Sequence, residues 1–233
     1  MNTDNLADIR QTILGFHGRI VNDANHRDRS WEHCYLHFQN RKAIQSDFEI
    51  ENSVLHLGFY LASWDMYRGS SFLLQKDYKV HLPVVRELLN SKYEALWGLN
   101  VNALNSNSPE VSLLFDLATT IKRIYWETVI VIDGKPKHGN ASDILVTKIL
   151  LGTMGCIPAY DGFFKTGVGL LADFPAQFGK SSYAGLIRFY KKNKDSIDAA
   201  ESEIAERGMK YPGMKLIDMY FWSLGHVVPG GDN

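Results

Sequence analysis

Apolar residues recur along this chain with the 3.6-residue period of helices and almost nowhere with the alternation of strands. Leu6, Ile9, Ile13, Phe16 and Ile20 mark a first amphipathic helix. A polar connector over residues 22–29 leads to a second helix, capped by Ser30 and carrying Trp31, Cys34, Tyr35 and Phe38. Residues 53–75 read as a long aromatic-rich helical stretch with Gly58 or Gly69 as its break, and residues 83–96 as a helix entered by proline. Residues 99–108, rich in Asn and Ser, read as a loop between lobes. A further stripe of Leu113, Leu117, Ile121 and Ile124 predicts a helix over residues 109–130. Residues 129–132 are β-branched, but one such run beside a helix is weak ground for a sheet. Residues 133–137 form a turn by composition. Residues 181–205 predict one amphipathic helix, Tyr211-Pro212-Gly213 a break, residues 214–224 a closing helix, and residues 228–233 a loose tail. The fold class is all-α.

Residues 144–154 depart from this amphipathic rule. Ile144, Leu145, Val146, Ile149, Leu150 and Leu151 leave almost no polar stripe, so this helix belongs inside the protein. Ser142 or Asp143 can cap its start, and Gly152 and Gly155 mark its decay. Asp161 then opens residues 162–171 from the N-cap position, a role that any Asp can fill for structural reasons alone.

Composition narrows the classes. The 233 residues are enough for one substantial core or two small lobes around a cleft. A net charge of −1 argues against a protein that coats nucleic acid, which needs clustered Lys and Arg, though not against an enzyme gripping DNA with a local patch. Cys34 and Cys156 lie far apart without zinc-like spacing, which implies reduced thiols in a cytoplasmic protein with no metal. The polar, acidic residues 1–8 are unlike a secretory signal. No apolar run approaches the roughly 18 residues of a membrane span.

The turn Gly139-Asn140-Ala141, the inward helix after it and the ending Pro158-Ala159-Tyr160-Asp161 together resemble the helix-hairpin-helix DNA glycosylase superfamily. The resemblance spans residues 138–162, and its hairpin lacks the usual Gly-x-Gly. It implies a two-lobed helical bundle with a cleft between the lobes. Residues 1–98 would contribute the base pocket, and residues 99–233 the hairpin and the catalytic Asp161. It implies a monomer that flips a base out of double-stranded DNA and hydrolyses its N-glycosidic bond without a cofactor. Asp161 would stabilise the positive charge that develops on the sugar and orient the attacking water. Strand-cutting members carry a nucleophilic lysine at the start of the helix. Ser142 and Asp143 stand there in this chain, which implies a monofunctional enzyme.

Lys148 projects from the inward helix, and an ammonium there needs a carboxylate or phosphate partner. An ion pair with Asp161 or Asp65 is the plain expectation, and tuning Asp161 or holding DNA the functional one. Tyr60, Trp64, Tyr67 and Ser71 share one helical face beside Asp65, Arg68 and Ser70, so stacking surfaces would be interleaved with polar groups. Such a face is either core packing or a base pocket, and the base it would take is left open between a damaged base of host DNA and a bulky hypermodified pyrimidine of phage DNA. Asn25 and His26 are candidates for the pocket mouth. Backbone N–H groups around Gly139 and Asn140, with Lys135, Lys137, His138, Ser142 and Lys180, are candidates for phosphate contacts. Two rivals remain. Arg27 and His33 fit the loose Arg-x(4–6)-His pattern of the all-α HEPN ribonucleases, and a helical DNA-binding protein without catalysis would use the same basic residues.

Overall fold

The computed structural model describes residues 8–132 and 134–227, so Leu6, Asp133 and the tail over residues 228–233 lie outside it. The chain is mostly helical: α1 (Ile9–Asn22), α2 (Arg29–Gln39), α3 (Asp47–Ser63), α4 (Leu82–Leu88), α5 (Pro109–Glu127), α6 (Asp143–Thr153), α7 (Gly162–Leu171), α8 (Lys180–Lys192), α9 (Lys194–Glu206) and α10 (Gly213–His226). Short 3₁₀ turns fill several of the connections. Between α5 and α6 the β-branched run does form a strand. β1 (Val129–Ile132) pairs antiparallel with β2 (Lys135–His138), so α5 and α6 are joined by a two-stranded ribbon and the turn that follows it. Apolar side chains from both halves of the sequence belong to one core. Residues 99–108 are anchored to that core by the buried Val101 and Leu104, while most of the segment between them and Ser108 is exposed.

Local chemistry explains where the elements start and stop. Asp8 accepts the N–H of Gln11 and starts α1. Ser46 and Glu49 form a reciprocal capping box that starts α3 at Asp47, six residues ahead of the sequence expectation. The stretch expected to run as helix through residue 75 ends at Trp64. Asp65 takes the left-handed conformation, with φ of 63°, and Met66 N–H bonds back to the Leu61 carbonyl. The break therefore falls at neither Gly58 nor Gly69. Residues 83–96 divide into α4 and a 3₁₀ turn (Ser91–Leu96), because the Asn90 side chain accepts the Lys92 N–H and redirects the backbone. The expected helix over residues 181–205 is two, α8 and α9, parted at Asn193, whose side-chain amide donates to the Phe189 carbonyl.

α6 is the central rod: every residue of Leu145–Thr153 is buried, and Ser142 caps it by accepting the Leu145 N–H at 3.2 Å. It packs against α2, α3 and α5. Gly152 is obligatory against α3, since a Cβ there would lie 2.3 Å from the Tyr60 ring. α7 and α10 touch backbone to backbone. A Cβ at Gly167 would fall 1.9 Å from the Phe221 carbonyl oxygen, and one at Gly225 the same distance from that of Phe163. This crossing fixes the start of α7, where Asp161 sits.

Candidate active site

Residues 154–161 leave α6 and reach α7 without regular structure, yet all are buried. Their backbone polar groups must then be satisfied by partners inside the protein. The Ala159 N–H donates to Asp218 Oδ1 at 2.9 Å and the Tyr160 N–H to Thr147 Oγ1 at 3.0 Å. The Tyr183 hydroxyl donates to the Cys156 carbonyl at 2.9 Å, and Gly155 turns at φ of 65° to bond back to Leu150. Tyr160 Oη lies 2.9 Å from Ser182 Oγ. Every side of this segment is held, so the residue that ends it has a defined place.

That residue is Asp161. Its Oδ1 accepts the Phe164 N–H at 2.9 Å, as an N-cap should, and its remaining 7 % exposure opens on a cleft. Burial raises its pKa above the ordinary carboxylate value, and the negative charge of Asp218 raises it further. The Lys148 ammonium, the Phe164 N–H and Lys215 act in the opposite direction.

Lys148 rises from α6 beside it. Nζ donates to the Trp64 carbonyl at 2.8 Å and lies 5.6 Å from the Trp64 ring centroid. Among the described residues it makes an ion pair with neither Asp161 nor Asp65. Burial lowers its pKa, while the charges of Asp161, Asp218 and Asp65 partly restore it. The ammonium is thus satisfied by a helix-end carbonyl, and Asp161 feels it through space.

The cleft has a volume of about 930 Å³. Asp161 and Lys148 lie on its lining together with His26, Trp64, Asp65, Arg68, Ser70, Ser71, Lys137, His138, Asn140 and Ser142. Residues from the α1–α2 connector, the end of α3, the ribbon and α6 therefore meet at one place. Arg27 crosses the mouth, its Nη2 3.2 Å from Asp65 Oδ2. At the rim His138 stacks on Trp126, with centroids 4.6 Å apart and planes at 10°, and Nδ1–H donates to the Trp126 carbonyl at 2.7 Å.

Several expected residues lie elsewhere. Tyr60 is core: its ring covers Gly152 and its hydroxyl donates to the Lys148 carbonyl at 3.2 Å. Tyr67 turns away once the helix ends, to place its hydroxyl 2.7 Å from Nε2 of His81, whose pKa burial pushes down to about 3. Tyr60, Trp64, Tyr67 and Ser71 therefore share no helical face. Asn25 is exposed on the connector, with its N–H held by Asp23, and is off the cleft lining. Gly139 is buried against α5, where a Cβ would lie 2.6 Å from the Tyr125 carbonyl, so its backbone faces protein and not a ligand. Lys135 and Lys180 are exposed but line no part of this cleft. Arg27 lines the cleft, whereas His33 lines a separate depression with His37 and His56, so the structure does not bring Arg27 and His33 together.

Sequence reasoning missed the opposite wall. Phe16, Arg19, Phe163, Trp222 and His226 come from α1, α7 and α10. Trp222 stacks on His226 at 4.7 Å and meets Phe16 and Phe163 edge-on at 5.5 and 5.3 Å. The available signal was the i,i+4 pair Trp222 and His226 on α10. Both cysteines are buried free thiols whose pKa burial raises, that of Cys156 to about 12, so neither is a thiolate nucleophile. Among the described residues no helix is long and apolar enough to cross a membrane, and no His, Cys, Asp and Glu cluster is arranged to hold a metal ion. No protein-family model, curated protein or solved structure matches the chain.

Proposed function

We propose that this protein is a monofunctional DNA glycosylase that acts on a nucleotide extruded from double-stranded DNA. One observation carries the reading: Asp161 is the most buried of the three carboxylates on the cleft, and it is fixed at the head of α7 beside a buried ammonium. On this reading α5, the ribbon and α6 stand in for the hairpin motif, and the two halves of the chain face each other across the cleft.

The chemistry follows from placement. A base entering the cleft meets flat apolar surfaces at Trp64, Phe16 and Trp222, and polar groups at Arg68, Ser70 and Ser71. As the C1′–N bond lengthens, its electron pair leaves with the base and the sugar becomes cationic. The ionised Asp161 faces that charge, in surroundings where burial strengthens the attraction. A water then adds to C1′ and gives its proton to Asp161, leaving an abasic site. Lys148 serves by holding Asp161 ionised. Arg19, Arg27 and Lys137 at the mouth have the charge needed to meet phosphates.

The decisive experiment incubates the protein with duplexes of varied base modification, then reveals abasic sites with alkali. Asp161→Asn is expected to reduce excision by about 10²–10³-fold or more. Borohydride added during turnover is expected to trap no protein–DNA adduct, because water is the nucleophile. Full excision by Asp161→Asn would end the proposal. The same variant carries a stability signature. A carboxyl whose folded pKa is raised binds its proton more tightly in the folded state. Stability therefore falls as pH rises from the ordinary carboxylate value through the raised one, and above that window the cost is fully present. Asparagine keeps the cap and removes the charge, so its Tm at pH 7 is expected to exceed that of the parent.

A further inference from the structure

Lys215 and Asp218 lie one turn apart on α10 and form an ion pair of 2.9 Å, each with only 1 % exposure. A pair this deep adds little net stability, because desolvation offsets the attraction. Its contribution lies in what it orients. Asp218 Oδ2 takes the Lys215 ammonium, and Oδ1 takes the N–H of Ala159, two residues before Asp161. Lys215 Nζ lies 4.8 Å from the Trp64 ring centroid, 5.0 Å from that of Trp31 and 5.4 Å from that of Phe16. Trp64 and Phe16 line the cleft. The two charges thus touch both the segment that carries Asp161 and the aromatics of the cleft lining. One end holds the segment that carries the acid, and the other lies against two of the cleft's aromatic faces.

We infer that Lys215 and Asp218 are positioning residues for Asp161: through Ala159 they fix where its carboxylate stands, and through their opposite charges they set how readily it ionises. Three charged groups act on Asp161 from the elements packed around it: Lys148 on α6, and Lys215 and Asp218 on α10. Asp218 opposes its ionisation, whereas Lys215 and Lys148 favour it. The other ionisable groups near that end of the cleft, His26, Arg27, Asp28, Asp65 and His226, are untouched by the variants below and act as a constant background.

The catalytic half of this inference rests on the glycosylase reading, so its test includes a measurement that needs no DNA. Carboxyl-¹³C-aspartate NMR of the full chain follows the titration of Asp161, assigned as the resonance missing from Asp161→Asn. Asp218→Asn, which retains an acceptor for Ala159, is expected to move the midpoint to lower pH, and Lys215→Met to higher pH. The acid limb of excision should follow each midpoint, with duplex Kd unchanged. A merely structural pair would weaken both variants without displacing Asp161 in opposite senses. Midpoints that stay put or move together overturn the inference. If either single variant fails to fold, the other carries the test, and a midpoint that stays put or moves against its stated direction overturns the inference. Opposed midpoints without any excision would remove the glycosylase reading alone, and normal excision with unmoved midpoints would remove this inference alone.

Discussion

Two stretches of the cleft lining are built on opposite principles. Residues 154–161, which deliver Asp161, lie wholly inside the protein, and their backbone groups are taken up by Asp218, Thr147 and Tyr183. Residues 64–72, which line the same cleft, are held less tightly. Asp65 sits in a conformation unfavourable to residues with a Cβ and pairs with an exposed Arg27, and among the described residues the buried Nε1 of Trp64 has no hydrogen-bond partner. The next residues to the 3₁₀ turn at Phe72 are half-buried or exposed. A group that stabilises a developing charge must be in place before the reaction, whereas a surface receiving a flipped base gains from adapting to it. On the proposed reading, the difference between these two stretches matches that division of labour.

Three substitutions probe the contrast. The largest effect is expected from Gly167→Val, which forces side-chain carbons into the Phe221 carbonyl and pushes α7 off α10. The loss should be about 3 kcal/mol or more by urea denaturation, with excision abolished because Asp161 moves with its helix. A loss below 1 kcal/mol would show that the stretch carrying the acid is not rigid. Lys148→Met should act next most strongly. Without the ammonium Asp161 holds its proton to higher pH, so the acid limb of excision shifts upward and activity at pH 6 falls more than at pH 8. An equal loss at both would assign Lys148 to DNA contact instead. The smallest effect is expected from Asp65→Gly. Relief of the left-handed backbone, about 1 kcal/mol, is set against loss of an exposed ion pair of similar size or less. Stability should stay within about 1 kcal/mol of the parent by the same urea titration, and a larger fall would show that this stretch is held as firmly as the other.

Much of this was legible in the order of residues. Ser142 ahead of an apolar run announced both the cap and the interior position of α6, and Asp161 before Gly162 announced the cap of α7. Those signals are local, so they survive without knowledge of the fold. The end of α3 was not legible, because no Gly or Pro stands at Trp64 or Asp65. Asp entered a left-handed turn that its sequence context does not demand. The split of α8 from α9 at Asn193 was hidden in the same way, by a polar residue that suits a helix surface equally well. Lys215 and Asp218 were overlooked because charges three apart on a helix are usually solvated. The sign that these were not is the company they keep: Met214, Leu216, Ile217, Met219, Tyr220 and Phe221 surround them, and all are buried. The wall of Phe16, Phe163, Trp222 and His226 depends on three helices distant in sequence, which no local pattern encodes.

Tyr60 has one more consequence. Its ring is wedged over Gly152 and its hydroxyl is tied to the carbonyl of Lys148, so α3 is bolted to α6 one turn before α3 ends. Motion or mutational drift beyond residue 65 is thereby insulated from the machinery on the other side. Such a layout is evolvable. On the proposed reading, the exposed residues 68–70 can be diversified to search for new ligands while Asp161, its cap and its charged neighbours stay as they are.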